Sequence, residues 1–391
     1  MKILYVTTST ELGGAERMLA VLALQASQNH TVRVLCLRPA GEVAAQLREK
    51  GIEVVSLNIT GKTWPGRIVK QIQKQLDAFS PDLVHAMLYW AIELTRIACA
   101  GRKIKLITTP HFDFSKRPFY QRIFDFLLKG RDDLTVSESY CNAQYLVKHL
   151  KYPKEKVYLL PNGADPAVYF KDDSVRAAMR KAHGFTPENV VFIQVSRLEP
   201  VKNPLLLLQS FRNVARSCEA ARLVFVGEGS ERGALENFIS ESGLTDKVIL
   251  AGQQQDINKW LNMADVFVLP SNEESLPLAL LEAQQVGLPC VVSRVGDMPL
   301  RVQHGENGFV FPPGDITLLS CFLAELAAQP QLRQAQGLKS QSKQTETTDV
   351  YSHYQHLYKQ IITGEFSREI PPSGSNCNCG CGMAGDGPKQ E

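Results

Sequence analysis

The sequence of 391 residues has no apolar run approaching the ~18 residues that a membrane-spanning helix needs. Its opening stretch, MKILYVTTST, carries one Lys and an unbroken apolar run only from Ile3 to Val6. A secretory signal needs roughly 7–15 apolar residues, so a cytoplasmic chain is expected. No glycine-rich turn leads into Gly-Lys-Ser/Thr, which excludes an NTPase phosphate loop. No stretch interleaves aromatic and basic residues as a nucleic-acid stacking platform does. No repeat of 20–50 residues is visible. Cysteine is scarce and odd in number, nine in all. Six of them (Cys36, Cys99, Cys141, Cys218, Cys290, Cys321) stand isolated in core-like segments, which suits reduced thiols rather than a disulfide framework.

What is present is ordinary for a globular protein: 44% apolar and 21% charged residues. The length suggests two domains of roughly 100–200 residues. The net charge of +3 says little, but its distribution is uneven. Residues 1–165 hold 23 basic and 15 acidic side chains, a balance of +8, against −5 over 166–391. A basic first half suits an anionic partner, or is simply a solvated face.

Short β-branched runs alternate with helix-length segments throughout. In the first half the runs are 2–7, 32–37, 53–57, 83–86, 105–109, 134–137 and 157–160. The pattern restarts at 190–196 and continues at 222–227, 247–252, 265–270 and 289–293. Near-continuous apolar strands separated by helices predict parallel sheets covered on both faces. The expected architecture is therefore α/β, with two doubly wound Rossmann-like domains facing across a cleft. We place an N-terminal domain over 1–165, a connection over 166–189, and a C-terminal domain over 190–349. A short aromatic-rich helix follows over 350–362. The remainder, 363–391, is read as a disordered tail, rich in Pro, Gly, Ser and Asn from 371. Ligands of such sheets bind beyond the carboxyl ends of the strands.

Several residues at those ends suit anion or sugar chemistry. Gly13 and Gly14 follow the first strand and open a helix, where backbone can approach a ligand and free N–H groups face it; two glycines in a turn are ordinarily only a turn. Arg197 and Lys202 follow strand 190–196 and could clamp a diphosphate, although two loop cations are commonly just solvated. Gly227-Glu228-Gly229 with Gly233 is one residue too long for a dinucleotide fingerprint, which counts against a dehydrogenase. In 270–289 a strand runs into a polar loop and then a helix expected to begin near Ser275. Glu274 lies at its cap and Glu282 two turns on, nearly on one face. Such a pair could hold sugar hydroxyls and a ribose diol, yet it is common by chance. His111, with Asp113 beside it, ends strand 105–109; a lone His is usually structural. Cys377, Cys379 and Cys381 form C-x-C-x-C, a poor match to structural zinc spacing.

Jointly, these motifs resemble the retaining nucleotide-sugar glycosyltransferases of family 4, which have the GT-B arrangement of two Rossmann domains. The resemblance spans about 1–362. It is carried by GGAER (13–17), VSE (136–138), PNGAD (161–165), SRLEPVKN (196–203), VGEGSER (226–232), KVILAG (247–252), ADVFVLPS (264–271), the Glu274…Glu282 pair and ENGFVF (306–311). It implies that Arg197 and Lys202 neutralise the donor diphosphate, Glu274 contacts the donor sugar, Glu282 holds the ribose and His111 lies near the reacting sugar. Gly13 and Gly14 approach donor and acceptor, and helix 350–362 crosses back to the first domain. After Glu274 the family often has Gly-Phe-Gly, where this chain has Ser275-Leu276-Pro277. Pro277 has no N–H to offer, whereas Leu276 and Leu278 do, a departure that bears on the donor sugar.

The activity so implied moves a sugar from a nucleotide-diphosphate sugar, UDP-sugar favoured, to a glycan or polyprenyl-diphosphate-linked acceptor in polysaccharide or glycolipid synthesis. No cofactor and no metal are expected, and no Asp-x-Asp occurs. A hydrolysing nucleotide-sugar epimerase of similar fold and a non-catalytic sugar-nucleotide-binding subunit are the alternatives. Nucleic acid is not an expected partner. Basic clusters at Arg102-Lys103-Lys105, Lys116-Arg117-Arg122, Lys129-Arg131 and Lys148-Lys151-Lys154-Lys156 suggest an anionic membrane surface as a further partner. Phe119, Phe124, Phe126, Leu127 and Leu128 lie among them. They either dip into the interface on an amphipathic helix or fill the domain core.

Overall fold

The computed structural model describes residues 1–61, 63–111, 117–344 and 350–365. Asp113, Lys116 and the tail cysteines Cys377, Cys379 and Cys381 lie outside the described residues. The first sheet is built from β1 (Lys2–Thr7), β2 (Thr31–Cys36), β3 (Glu53–Ser56), β4 (Leu83–Met87), β5 (Lys105–Thr109), β6 (Leu134–Ser137) and β7 (Val157–Leu159). Its strand order is β3-β2-β1-β4-β5-β6-β7. The second holds β8 (Val190–Val195), β9 (Ala221–Val226), β10 (Val248–Leu250), β11 (Val266–Leu269), β12 (Cys290–Ser293) and β13 (Gly308–Phe311), ordered β10-β9-β8-β11-β12-β13. Every strand pairing is parallel. The strands are buried on both faces because helices cover both: β8 has no exposed residue, and β1 exposes only Lys2. In each sheet the order reverses beside the first strand, between β1 and β4 and between β8 and β11. The loops leaving β1, β4, β8 and β11 therefore flank the two switch points, and the loop leaving β5 lies one strand further out.

Helix Pro65–Phe79 shows how the covering layer forms. Pro65 fixes φ at the first turn, Ile68, Val69, Ile72, Leu76 and Phe79 fall on one buried face, and Ser80 ends the helix in the left-handed region. The last helix, Val350–Thr363, packs on the first domain although it follows the second. Its Tyr354, Leu357, Tyr358 and Ile361 join the core of Ile3 and Tyr5. Tyr358 Oη lies 2.7 Å from His85 Nδ1 and accepts a bond from Tyr5 Oη at 3.2 Å.

The stretch 166–189 is more than a connection, because it contains helix Asp173–Ala182. With few apolar residues to bury, this helix is anchored on the second domain by charge. Arg176 and Arg180 each reach Asp265 at 2.5 Å.

Helix Phe119–Leu128 is turned inside out. Its buried residues are Gln121 and Asp125, while Phe119 is 71% and Leu127 69% exposed. Tyr120, Ile123, Phe124 and Phe126 are exposed too. Of the two roles the sequence left open for these aromatics, filling the domain core is excluded. The cause lies underneath: Arg96, 1% exposed, binds Glu93, Asp125 and Asp132 at 3.0, 2.8 and 2.5 Å. Asp125 must face inward to reach Arg96, so the apolar face of its helix is left pointing outward.

Candidate active site

The loop after β8 carries the cations. Arg197 is exposed, and Lys202 closes a short 3₁₀ turn, Pro200–Lys202. Two glycines set this loop's path. A Cβ on Gly227 would lie 2.0 Å from the Ser196 carbonyl oxygen, and one on Gly229 would lie 2.3 Å from that of Leu198. The Gly-Glu-Gly turn therefore serves close backbone packing: Leu198 N–H donates to the Glu228 carbonyl at 2.8 Å. This holds Arg197 and Lys202 at the carboxyl end of β8.

Lys202 Nζ meets Glu274 Oε1 at 2.5 Å, and Ser271 Oγ donates to the same oxygen at 2.8 Å. Both side chains are mostly buried. The site thus keeps a carboxylate against the cation intended for a diphosphate.

The helix after this loop begins at Leu278, not near Ser275. Proline disfavours helical backbone in the residue before it, and Pro277 itself is extended, at φ −72° and ψ 130°. Glu274 consequently lies in the loop four residues before the helix, so it neither caps the helix nor shares a face with Glu282. The N–H groups of Leu278 and Ala279 lead the helix. Leu276 is buried, and its carbonyl accepts a bond from Asn162 Nδ2 at 3.1 Å. Glu282 is 4% exposed. The Tyr169 hydroxyl hydrogen-bonds it, and Arg17 supplies positive charge nearby. Burial still dominates and raises its pKa. Its Oε2 has no partner, which leaves a buried acceptor free for a hydroxyl donor.

From the first domain, Gly13 and Gly14 start helix Gly14–Ser27. Gly13 has φ −152°, so close approach rather than left-handed backbone is what a glycine serves there. A Cβ on Gly14 would stand 3.6 Å from Leu278 Cδ1 across the cleft. Glu16 feels the charge of Arg197, and Arg17 Nη2 donates to the Gln254 carbonyl at 3.4 Å. His111 sits just past β5 at φ +54°. Burial pushes its imidazole pKa down to about 4, so the ring is neutral at pH 7, and its Nε2 is buried without a partner. Beside it, Glu138 is buried and its pKa is pushed up to about 7. Desolvation outweighs the bond from Ser275 Oγ at 3.1 Å and the His111 N–H.

Across the cleft the fold links several of the sequence candidates: Gly14 to Leu278, Lys202 to Glu274, and His111 to Ser275 through Glu138. Sequence reasoning assigned no role to Glu16, Arg17, Glu138, Tyr169 or Asp297. Glu138 carried a signal, an acid ending an apolar strand. Asp297 carried none.

Residues 12–168 match the family model described as Glycosyltransferase Family 4, and residues 175–343 match Glycosyl transferases group 1. The N-acetyl-alpha-D-glucosaminyl L-malate synthase of Bacillus anthracis is 28% identical over 279 residues, 69% of this chain and 71% of that protein. The UDP-Gal:alpha-D-GlcNAc-diphosphoundecaprenol alpha-1,3-galactosyltransferase of Escherichia coli is 34% identical over 178 residues, 45% of this chain and 46% of that relative. The solved structure of Anabaena Alr3699/HepE in complex with UDP-glucose superposes with a TM-score of 0.82 at 22% identity. That match covers 93% of this chain and all of HepE, which shows the GT-B fold.

Proposed function

The chain belongs to glycosyltransferase family 4, and from that premise we propose that it transfers a sugar, with retention, from a UDP-sugar to a glycan or polyprenyl-diphosphate-linked acceptor. The observation that carries this reading is the cleft itself. Two cations, Arg197 and Lys202, stand at one switch point, Lys202 against Glu274 of the loop that leads into helix Leu278–Val286, with the unpartnered Glu282 carboxylate oxygen deeper in that helix. UDP is supported by the UDP-glucose bound in HepE and by the donor named for the Escherichia coli relative. That relative's name also supports a diphosphoundecaprenol-type acceptor.

The chemistry asks for little covalent help. The bond from the anomeric carbon to the diphosphate breaks, and a bond to the acceptor oxygen forms on the same face. The acceptor proton passes to the departing diphosphate. Charge grows on that diphosphate, and preorganised cations and N–H groups stabilise it most. Arg197 and Lys202 supply the charge from the chain, without metal. Glu274, released from Lys202 when the diphosphate arrives, is free to accept hydroxyls of the donor sugar. The neutral His111 offers Nε2 to the reacting sugar.

The outward apolar face of helix Phe119–Leu128, flanked by Arg117, Arg122 and Arg131, fits an anionic membrane surface where a polyprenyl acceptor resides. Among the described residues no helix is long and apolar enough to cross a membrane.

The test is a donor screen with purified protein, read as nucleotide release and then as transfer to a lipid-linked acceptor. Release that depends on acceptor supports transfer. Equal breakdown of the donor without acceptor points to a hydrolysing epimerase, and binding without turnover points to a non-catalytic subunit.

A further inference from the structure

A set of buried contacts joins the two domains behind the site, and the transfer chemistry uses none of them. Asp297, 4% exposed, belongs to the second domain. Its Oδ2 accepts the N–H of Tyr140 at 2.5 Å and its Oδ1 that of Cys141 at 3.0 Å. These are the first two residues of helix Tyr140–Lys148 in the first domain. The next N–H, of Asn142, goes to Ser139 Oγ at 3.1 Å. A carboxylate from one domain thus completes the cap of a helix in the other, where N–H groups and the dipole favour negative charge.

The same place holds the loop that carries Glu274. Ser275 Oγ donates to Glu138 Oε1 at 3.1 Å and lies 3.1 Å from Ser139 Oγ. From its own domain, Asp297 N–H donates to the Ser275 carbonyl at 2.8 Å. Gly296, at φ +52°, packs so closely that a Cβ would lie 2.3 Å from the Glu274 carbonyl oxygen. Residues 274–276 are therefore gripped on one side by 296–297 and on the other by 138–139. Separating the domains would leave two helix N–H groups, two carboxylates and a hydroxyl without these partners.

We propose that Asp297 and Glu138 are positioning residues of an interdomain clasp: cleft closure docks the 274–276 loop against the first domain and thereby aligns Glu274 and the leading helix N–H groups for transfer. Neither residue touches substrate. The inference rests on the transfer reading above, and it adds which residues hold the two domains in the aligned arrangement.

Asp297→Asn keeps the side chain's size and turns one acceptor into a donor facing an N–H. The expected outcome is a fall in kcat of about 10–100-fold from loosened alignment. Affinity for UDP stays within about twofold, because Arg197, Lys202 and Glu282 all lie in the second domain. Small-angle X-ray scattering with UDP present should give a larger radius of gyration for Asp297→Asn than for wild type. Ser275→Ala, which removes the bonds to Glu138 and Ser139, should shift scattering the same way and serves if Asp297→Asn does not fold. Glu42→Ala is the control. It removes exposed cross-cleft bonds from Gln253 and Gln255, at 3.1 and 2.8 Å, and should leave kcat within about twofold and scattering unchanged. Unchanged scattering in both Asp297→Asn and Ser275→Ala overturns the clasp, whatever happens to kcat. So does equal opening by Glu42→Ala. Scattering needs no turnover, so a wild-type protein that transfers no sugar would refute the transfer reading and still leave the clasp tested.

Discussion

At the scale of single residues, the Lys202–Glu274 pair is the most consequential contact in the cleft. Breaking it without replacement strands a mostly buried carboxylate, so on the proposed reading a diphosphate takes Lys202 as Glu274 turns to the sugar. Lys202→Ala is expected to lower kcat by on the order of 10²–10³, as loss of a preorganised charge at the leaving group does, and Arg197→Ala to behave alike. Near-normal transfer in both variants would refute the diphosphate assignment. Glu282→Ala should chiefly weaken UDP binding, and Glu274→Ala chiefly slow transfer. Calorimetric titration with UDP separates them, and equal affinity in wild type and Glu282→Ala sinks the ribose role. Glu138 adds a pH dependence. Facing it are His111, Ser275, Asp297 and Tyr354, and burial raises its pKa from the ordinary carboxylate range to about 7. The folded state therefore favours its neutral form. Its contribution is full below about pH 4 and is lost as pH rises through 7, by on the order of 3 kcal/mol. Thermal melts from pH 5 to 8 should show wild type losing more stability than Glu138→Gln. Parallel losses would show that Glu138 does not titrate in this range.

At the scale of elements, what was legible in the sequence depended on where each element finds its partners. The strands of both sheets, β13 excepted, were legible because helices cover both faces and force unbroken β-branched runs, whereas Gly308–Phe311 was not read as a strand. Helix Asp173–Ala182 was not, because its anchor is Asp265, some 90 positions away, rather than an apolar stripe. The start of the helix at Leu278 was misplaced, although the restriction that Pro277 puts on Leu276 was there to be read. Glu274, Arg197 and Lys202 were legible as residue types past strand ends, and Glu282 as an acid on the helix that follows. Glu138 showed only as an acid ending a strand and Asp297 not at all, since each takes its meaning from the other domain. The buried Arg96 cluster shows the same dependence on distant partners. Arg96→Met leaves Glu93, Asp125 and Asp132 around one site without their cation, and burial already raises the Glu93 pKa to about 8. Removing one partner of such a group costs about 3–5 kcal/mol. Urea unfolding should report a loss of that order, and a change under 1 kcal/mol would show that the carboxylates simply protonate.

At the scale of the whole molecule, charge and apolar exposure converge on one face of the first domain. A helix gains nothing from six large apolar side chains facing water, and exposed apolar patches mark interaction sites. A protein partner and a membrane both use apolar surface, but the basic flank of Arg117, Arg122, Arg131, Lys151 and Lys154 favours an anionic leaflet. Each such charge near the surface contributes about 1 kcal/mol before screening, and inserted Phe119, Phe124 and Leu127 would add apolar burial. The two contributions are separable by experiment. Co-sedimentation with vesicles containing anionic lipid should be strong at low salt and fall as salt rises, whereas neutral vesicles should bind weakly. Arg117→Glu with Arg122→Glu should remove the salt-sensitive part. Phe119→Ser with Leu127→Ser should weaken what persists at high salt while leaving the melting temperature nearly unchanged, because those side chains are already in water. Equal sedimentation with neutral and anionic vesicles, or none with either, would refute electrostatic docking and leave the inverted helix as a surface for another protein.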